Sequence, residues 1–107
     1  MNIRIYYLRG ENYIPGDDDF ICVFNSEEVA QMKPAFDVLK VRTGFDIISD
    51  SKTDLNLTSV GALIEAIYDL VPHQKKEKHI KAIDQLNEIA QTARKKGLGL
   101  ALYREEQ

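Results

Sequence analysis

The chain has 107 residues, 44% of them hydrophobic and 29% charged, and its formal net charge is −3. This composition excludes a disordered chain, which would be less hydrophobic, and no apolar run is long enough to cross a bilayer. The one cysteine, Cys22, excludes an internal disulfide framework. We expect a single domain over residues 1–107 with its own packed core.

Two strands are predicted in the first quarter of the chain. Residues 3–8 combine β-branched and aromatic side chains in approximate alternation, and residues 20–24 form a short apolar run. The segment 10–19 contains glycine, a Pro-Gly pair and three successive aspartates, which indicates a turn or loop. Cys22 lies in the second strand, where we expect it to pack as a small hydrophobe.

The first helix is predicted to begin at Asn25 or Ser26, whose side chains can cap exposed N–H groups, and to end at Gly44. Pro34 lies inside this stretch and removes a backbone donor, so we expect a kink or two short helices. The predicted core positions recur at steps of three and four: Val29, Met32, Phe36 and Leu39.

A third strand is predicted over Phe45–Ser49, followed by a polar connection over 50–54. The next helix is predicted to be capped by Thr58 or Ser59 and to end at Pro72. It has the clearest apolar stripe in the chain, which consists of Val60, Leu63, Ile64, Ile67, Tyr68 and Val71.

The last third of the chain predicts a longer helix over about 75–96 and a final strand over 98–103. Leucine at every second place of that strand suits a strand covered on both faces. The resulting order is ββαβααβ, so we predict a single-domain α/β sandwich with about four strands and three helices.

No motif for catalysis, metal binding or nucleotide binding is recognisable in the sequence. His73 and His79 are six residues apart, which turns them away from each other on a helix. The 50–54 segment lacks ligands of a calcium loop, and the glycines at 97 and 99 follow a helix, whereas phosphate-binding loops precede one. We therefore predict no metal, no cofactor and no enzymatic activity.

Charge is distributed unevenly along the chain. Residues 1–71 carry 12 acidic and 6 basic side chains, a net charge of −6, whereas residues 72–107 have a net charge of +3. An acidic surface attracts a cationic partner, although a solvated surface without a partner fits the same pattern. The predicted partner-binding residues are Asp17, Asp18, Asp19, Glu27, Glu28, Asp46, Asp50 and Asp54.

The lysines of the last helix suggest a partner of the opposite charge, a nucleic acid. They form two groups at opposite ends of that helix, with no aromatic residues between them, and the overall charge is negative. We therefore predict no nucleic-acid binding. The two groups are Lys75, Lys76, Lys78 and Lys81, and the run Arg94, Lys95 and Lys96.

A small α/β domain with one structural cysteine, no catalytic motif and an acidic N-terminal two thirds resembles the immunity proteins of contact-dependent growth inhibition and related bacterial toxin systems. The resemblance implies tight, one-to-one binding of a cognate cationic toxin, often a nuclease, with carboxylates in place of substrate phosphates. It assigns no role to any individual residue.

Two further functional classes fit the same sequence. One is a small enzyme or ligand-binding regulator with a dispersed site, and the other is an adaptor or homodimer that uses the last strand as an edge. The first residues lack the pattern of a secretory signal, so we expect a cytoplasmic location and no membrane partner.

Overall fold

The helices and strands follow the predicted order ββαβααβ. The computed structural model describes residues 1–70 and 81–106. The strands are β1 (Asn2–Leu8), β2 (Phe20–Phe24), β3 (Lys52–Leu55) and β4 (Gly99–Glu105), and the helices are α1 (Ser26–Thr43), α2 (Leu57–Leu70) and α3 (Lys81–Lys96). The predicted α/β fold class is confirmed.

Local signals explain where α1 begins and ends. The Asn25 side chain accepts a hydrogen bond from the Glu28 backbone N–H at 2.9 Å, and the Glu28 side chain accepts one from the Asn25 N–H at 3.0 Å. This reciprocal pair satisfies two of the donors that a helix start leaves free. Gly44 ends the helix with a φ of 83°, a left-handed conformation that glycine adopts without strain.

The four strands form one antiparallel sheet in the order β2-β1-β4-β3. β1 and β4 are central, and β2 and β3 are the edges. The three helices pack against one another and against the sheet, so they cover one face of it. The core lies between these two layers, and its largest fully buried side chains include Phe36, Ile3, Ile5, Met32, Leu39, Leu55, Leu63, Ile64, Leu86, Leu100 and Leu102.

The predicted core of the helices is largely confirmed. All four positions predicted in α1 are buried, and so are Val60, Leu63, Ile64 and Ile67 in α2. Tyr68 was predicted to belong to the same stripe, but its side chain is 56% exposed.

The predicted third strand is wrong in position. Residues 45 and 46 are irregular and residues 47–49 form a turn. The strand lies instead over Lys52–Leu55, most of which was expected to be a polar connection. The turn is stable because the Arg104 guanidinium donates to the carbonyls of Ile48 and Ser49, at 3.1 and 2.6 Å. In the true strand, residues 53 and 55 are buried and the charged residues 52 and 54 face away from the helices.

Two predictions about helix geometry also need correction. α1 is one continuous helix of 18 residues, so of the two predicted alternatives, a kink or two short helices, the second is wrong. Pro34 lies on the exposed side of α1, where water can satisfy the carbonyl that loses its partner. α2 is capped by Asn56, whose side chain accepts from the Ser59 N–H at 2.9 Å, and not by Thr58 or Ser59.

The last strand is central in the sheet and is buried at every position from 99 to 102, as predicted, whereas residues 103–105 are half-buried. Leu100 and Leu102 point toward the helices, whereas Ala101 and Tyr103 point to the open face. Its two long sides pair with β1 and β3, so it cannot act as the edge of a homodimer. The predictions for Val71, Pro72, His73, Lys75, Lys76, Lys78 and His79 lie outside the described residues.

Candidate functional site

The eight acidic residues predicted to bind a partner do not form one patch. Asp17 and Asp18 precede β2, whose first residue pairs near the C-terminal end of β1, whereas Glu27 and Glu28 follow β2 beside Met1. Asp46, Asp50 and Asp54 lie toward β3, the opposite edge. With strands about 4.8 Å apart, the two edges are separated by about 14 Å.

Asp19 is a structural residue and does not face a partner. Its side chain is 2% exposed, and it accepts hydrogen bonds from the Tyr13 hydroxyl at 2.6 Å, the Gly16 N–H at 3.0 Å and the Arg9 guanidinium at 2.6 Å. These donors lower the pKa of Asp19 from 3.8 to about 2. The carboxylate thus holds the β1–β2 loop together.

Near β3, two of the three predicted carboxylates already have a cationic partner within the chain. Asp46 pairs with the Lys40 ammonium at 3.1 Å, and this contact, with the Ser49 N–H, lowers its pKa. Asp54 lies 3.5 Å from the Lys52 ammonium. Asp50 is exposed. Charge on this edge is therefore largely neutralised.

The edge at β2 is different, because carboxylates flank the strand at both ends. Asp17 and Asp18 are exposed in a single 3₁₀ turn before it, and Glu27 is exposed in the first turn of α1 after it. Glu28 is half-buried, and only one of its two oxygens is needed for the cap of α1. These four residues lie in two groups at the two ends of β2, whose five residues span about 13 Å. With Glu88 of α3 they constitute what we call the acidic edge.

Glu88 was missed by the sequence analysis because it belongs to the net-positive part of the chain. It lies on α3 next to a groove of about 330 Å³ that opens between α3 and β2. Two carboxylates border this groove, and its other residues are apolar or neutral. The lining consists of Tyr7, Cys22, Val23, Phe24, Glu28, Gln85, Glu88, Ile89 and Thr92.

Cys22 lies in the groove and packs against the core, as expected for a structural cysteine. Burial, and secondarily the negative charge of Glu28, raise the pKa of its thiol from 9.0 to about 11. The thiol is therefore protonated at neutral pH, and a protonated thiol is a poor nucleophile. This environment favours packing over catalysis.

No protein-family model, curated protein or solved structure matches the chain. Within residues 1–70 and 81–106, no three acidic, histidine or cysteine side chains are grouped so as to hold a metal ion. In the same ranges no helix is long and apolar enough to cross a membrane. The function must therefore be argued from the surfaces themselves.

The open face of the sheet carries an aromatic cluster that is the other notable surface. The Tyr6 ring lies 5.6 Å from the Phe20 ring and 5.4 Å from the Tyr103 ring, edge to face in both pairs. Arg4 and Lys52 lie over the outer rings. Because these cations also pair with Glu105 and Asp54, the face is electrically balanced.

Proposed function

We propose that the protein is an inhibitor that binds a cationic protein partner, as an immunity protein that neutralises a cognate bacterial toxin in the cytoplasm. It acts by binding and not as an enzyme. The observation that carries this proposal is the acidic edge, where five carboxylates surround an edge strand and an adjoining groove.

Electrostatics favours the acidic edge over the other predicted carboxylates as the surface that binds the partner. Asp17, Asp18 and Glu27 are exposed, so their field extends into solvent, whereas Asp46 and Asp54 are offset by lysines of the same chain. Exposed carboxylates of this kind accelerate encounter with a positively charged partner and set its orientation. If the toxin is a nuclease, they take the positions of substrate phosphates in its basic site.

We expect a toxin gene next to the gene for this protein, and co-expression of the two tests the proposal. The C-terminal domain of that toxin should kill cells alone and should be neutralised by this protein, with a stable complex of the two purified chains. Toxin domains that remain lethal, or that form no complex, would contradict the proposed function.

Charge reversal then tests the surface. Asp17→Lys with Asp18→Lys should slow association by roughly tenfold and weaken its salt dependence. Asp50→Lys with Glu65→Lys changes the net charge by the same amount at exposed positions away from the acidic edge, so it is the matched control and should leave both unchanged. Folding of each variant is checked by its thermal melting curve. Equal effects from the two double variants would show that the acidic edge is not the interface.

A further inference from the structure

β2 differs from β3 in how its outer side is protected. Edge strands present unpaired N–H and C=O groups, and proteins usually guard them with charged residues, proline or very short strands. β3 has four residues and carries Lys52 and Asp54, so it is guarded. All five residues of β2 are uncharged and apolar, and among the described residues only β1 pairs with it. A bulge at Ile21 interrupts that pairing, and residues 22–24 beyond the bulge carry none of these protections.

The exposed side chains of β2 add to this contrast. Phe20 is 43% exposed and Val23 is 37% exposed, both on the face away from the helices. An unguarded apolar edge is a site for addition of a further strand, in which main-chain hydrogen bonds supply affinity and side-chain pockets supply specificity. Addition of a further strand at this edge would explain why β2 itself contains no charged residue.

The groove beside β2 supplies such a pocket. Side chains of an added strand alternate between the two faces, so every second one would point toward the helix side, where Cys22 and Phe24 lie. The groove offers apolar contacts from Phe24 and Ile89 and carboxylates from Glu28 and Glu88. Lysine and arginine match this arrangement, because they combine an aliphatic stem with a cationic head.

We propose that β2 accepts an extended segment of the cationic partner as a fifth strand, with one lysine or arginine of that segment in the groove bordered by Glu28 and Glu88. This proposal rests on the function proposed above and names the chemistry of the partner segment. The segment alternates basic and apolar residues, and its apolar residues contact Phe20 and Val23 on the open face. The Lys96 ammonium lies 4.9 Å from the Tyr7 ring centre, so a cation of the same chain already borders the Tyr7 side of this groove.

Three substitutions test this proposal, and two further substitutions serve as their controls. Glu28→Gln removes the charge while keeping the oxygen that caps α1, since glutamine also serves in a capping box. Glu88→Gln removes the second charge, and Glu65→Gln, on the exposed side of α2, is their control. Val23→Lys places a charge on the edge strand, which disfavours pairing with a further strand. Val41→Lys, at an exposed position of α1, is its control.

The probe is the blocked peptide acetyl-Thr-Val-Arg-Val-Thr-amide, compared with the same peptide containing glutamine in place of arginine. A short, unordered strand should bind with a Kd on the order of 1 mM. In an NMR titration of the full chain, the arginine peptide should shift the amides of 21–24 and 85–92. It should also slow alkylation of Cys22, and the glutamine peptide should bind roughly tenfold more weakly.

Glu28→Gln and Glu88→Gln should each weaken binding roughly threefold to tenfold, and Val23→Lys should abolish it, whereas both control variants bind normally. Saturable shifts confined to Lys52–Leu55 or to Tyr103, with none on β2, would overturn the proposal, and so would no saturation by about 10 mM.

The toxin complex separates this proposal from the function on which it rests. In the complex, slower alkylation of Cys22 and slower hydrogen exchange of the β2 amides support strand addition. A toxin that is neutralised while Cys22 stays fully reactive would leave the inhibitor function intact and overturn the β2 site. If no toxin binds, the inhibitor function fails, and the peptide titration still decides whether β2 accepts a basic strand.

Discussion

The thiol of Cys22 offers a direct test of the environment inside the groove. A pKa of about 11 instead of 9.0 changes the ratio of thiolate to thiol, which varies tenfold for each pH unit. At about pH 8 the folded protein should therefore have about 100-fold less thiolate than an ordinary thiol. Its alkylation should be at least roughly tenfold slower, because the higher nucleophilicity of a thiolate with a raised pKa offsets part of this difference.

The assay is the rate of iodoacetamide modification measured across the alkaline range, with the urea-unfolded chain as reference. Cys22 is the only cysteine, so modification reports on this position alone. Glu28→Gln should lower the midpoint only partly, because burial is the larger cause and the negative charge of Glu28 is the smaller one. Glu65→Gln should not move it. A folded-state midpoint at or below that of the unfolded chain would refute the groove geometry.

Three further predictions concern stability. Gly99→Ala should lower the free energy of unfolding by about 1–3 kcal/mol, because the added Cβ would overlap the Leu55 backbone oxygen, whereas Gly61→Ala, with open space around it, should raise it by about 0.4–1 kcal/mol. Equal melting temperatures for these two variants would contradict the close approach of β3 and β4. Asp19, with its folded pKa lowered to about 2, stabilises the fold above its ordinary pKa of 3.8, and this contribution is lost as the pH falls through about 2. The unfolding free energy of Asp19→Asn, measured by urea titration, should therefore fall less steeply between pH 3.8 and about 2 than that of the original chain. The same pH dependence in both proteins would contradict the structural role of Asp19. Leu63→Ala should cost about 2–5 kcal/mol because the side chain is fully buried, and a urea midpoint equal to that of the original chain would exclude this packing.

The parts of the fold that were predicted correctly have strong periodic signals. The apolar residues of α1 and most of those in α2 recur at helical spacing, and burial against a sheet requires that spacing. Capping by Asn25 was likewise readable, because a short polar side chain followed by Glu28 forms the reciprocal cap. These signals are local, so one sequence is sufficient to show them.

The misplaced third strand shows where local signals fail. Phe45, Ile47 and Ile48 are as apolar as a strand, but Arg104, more than 50 positions away, binds the carbonyls that make the turn. Lys52–Leu55 alternates between exposed and buried residues as an edge strand does, yet its two charged residues made it resemble a loop. The outcome depends on tertiary contacts, which outweigh strand propensity.

The candidate site was predictable in its chemistry but not in its placement. Carboxylates before and after β2 were identified from their density, whereas Asp19 was included although Arg9 and Tyr13 hold it inside the loop. Glu88 was omitted because regional net charge places it among lysines. Charge counts along a chain do not specify which elements become neighbours, and here α3 brings Glu88 beside β2.

The most informative disagreement is between the composition of β2 and its position in the sheet. A run of five apolar residues is typical of a central strand with neighbours on both sides, as in β4, yet β2 is an edge. Natural edges avoid this composition because it promotes uncontrolled pairing. The carboxylates around β2 provide selection by charge, since they repel acidic chains and attract basic ones. An apolar edge strand bordered by carboxylates is consistent with the binding edge proposed above.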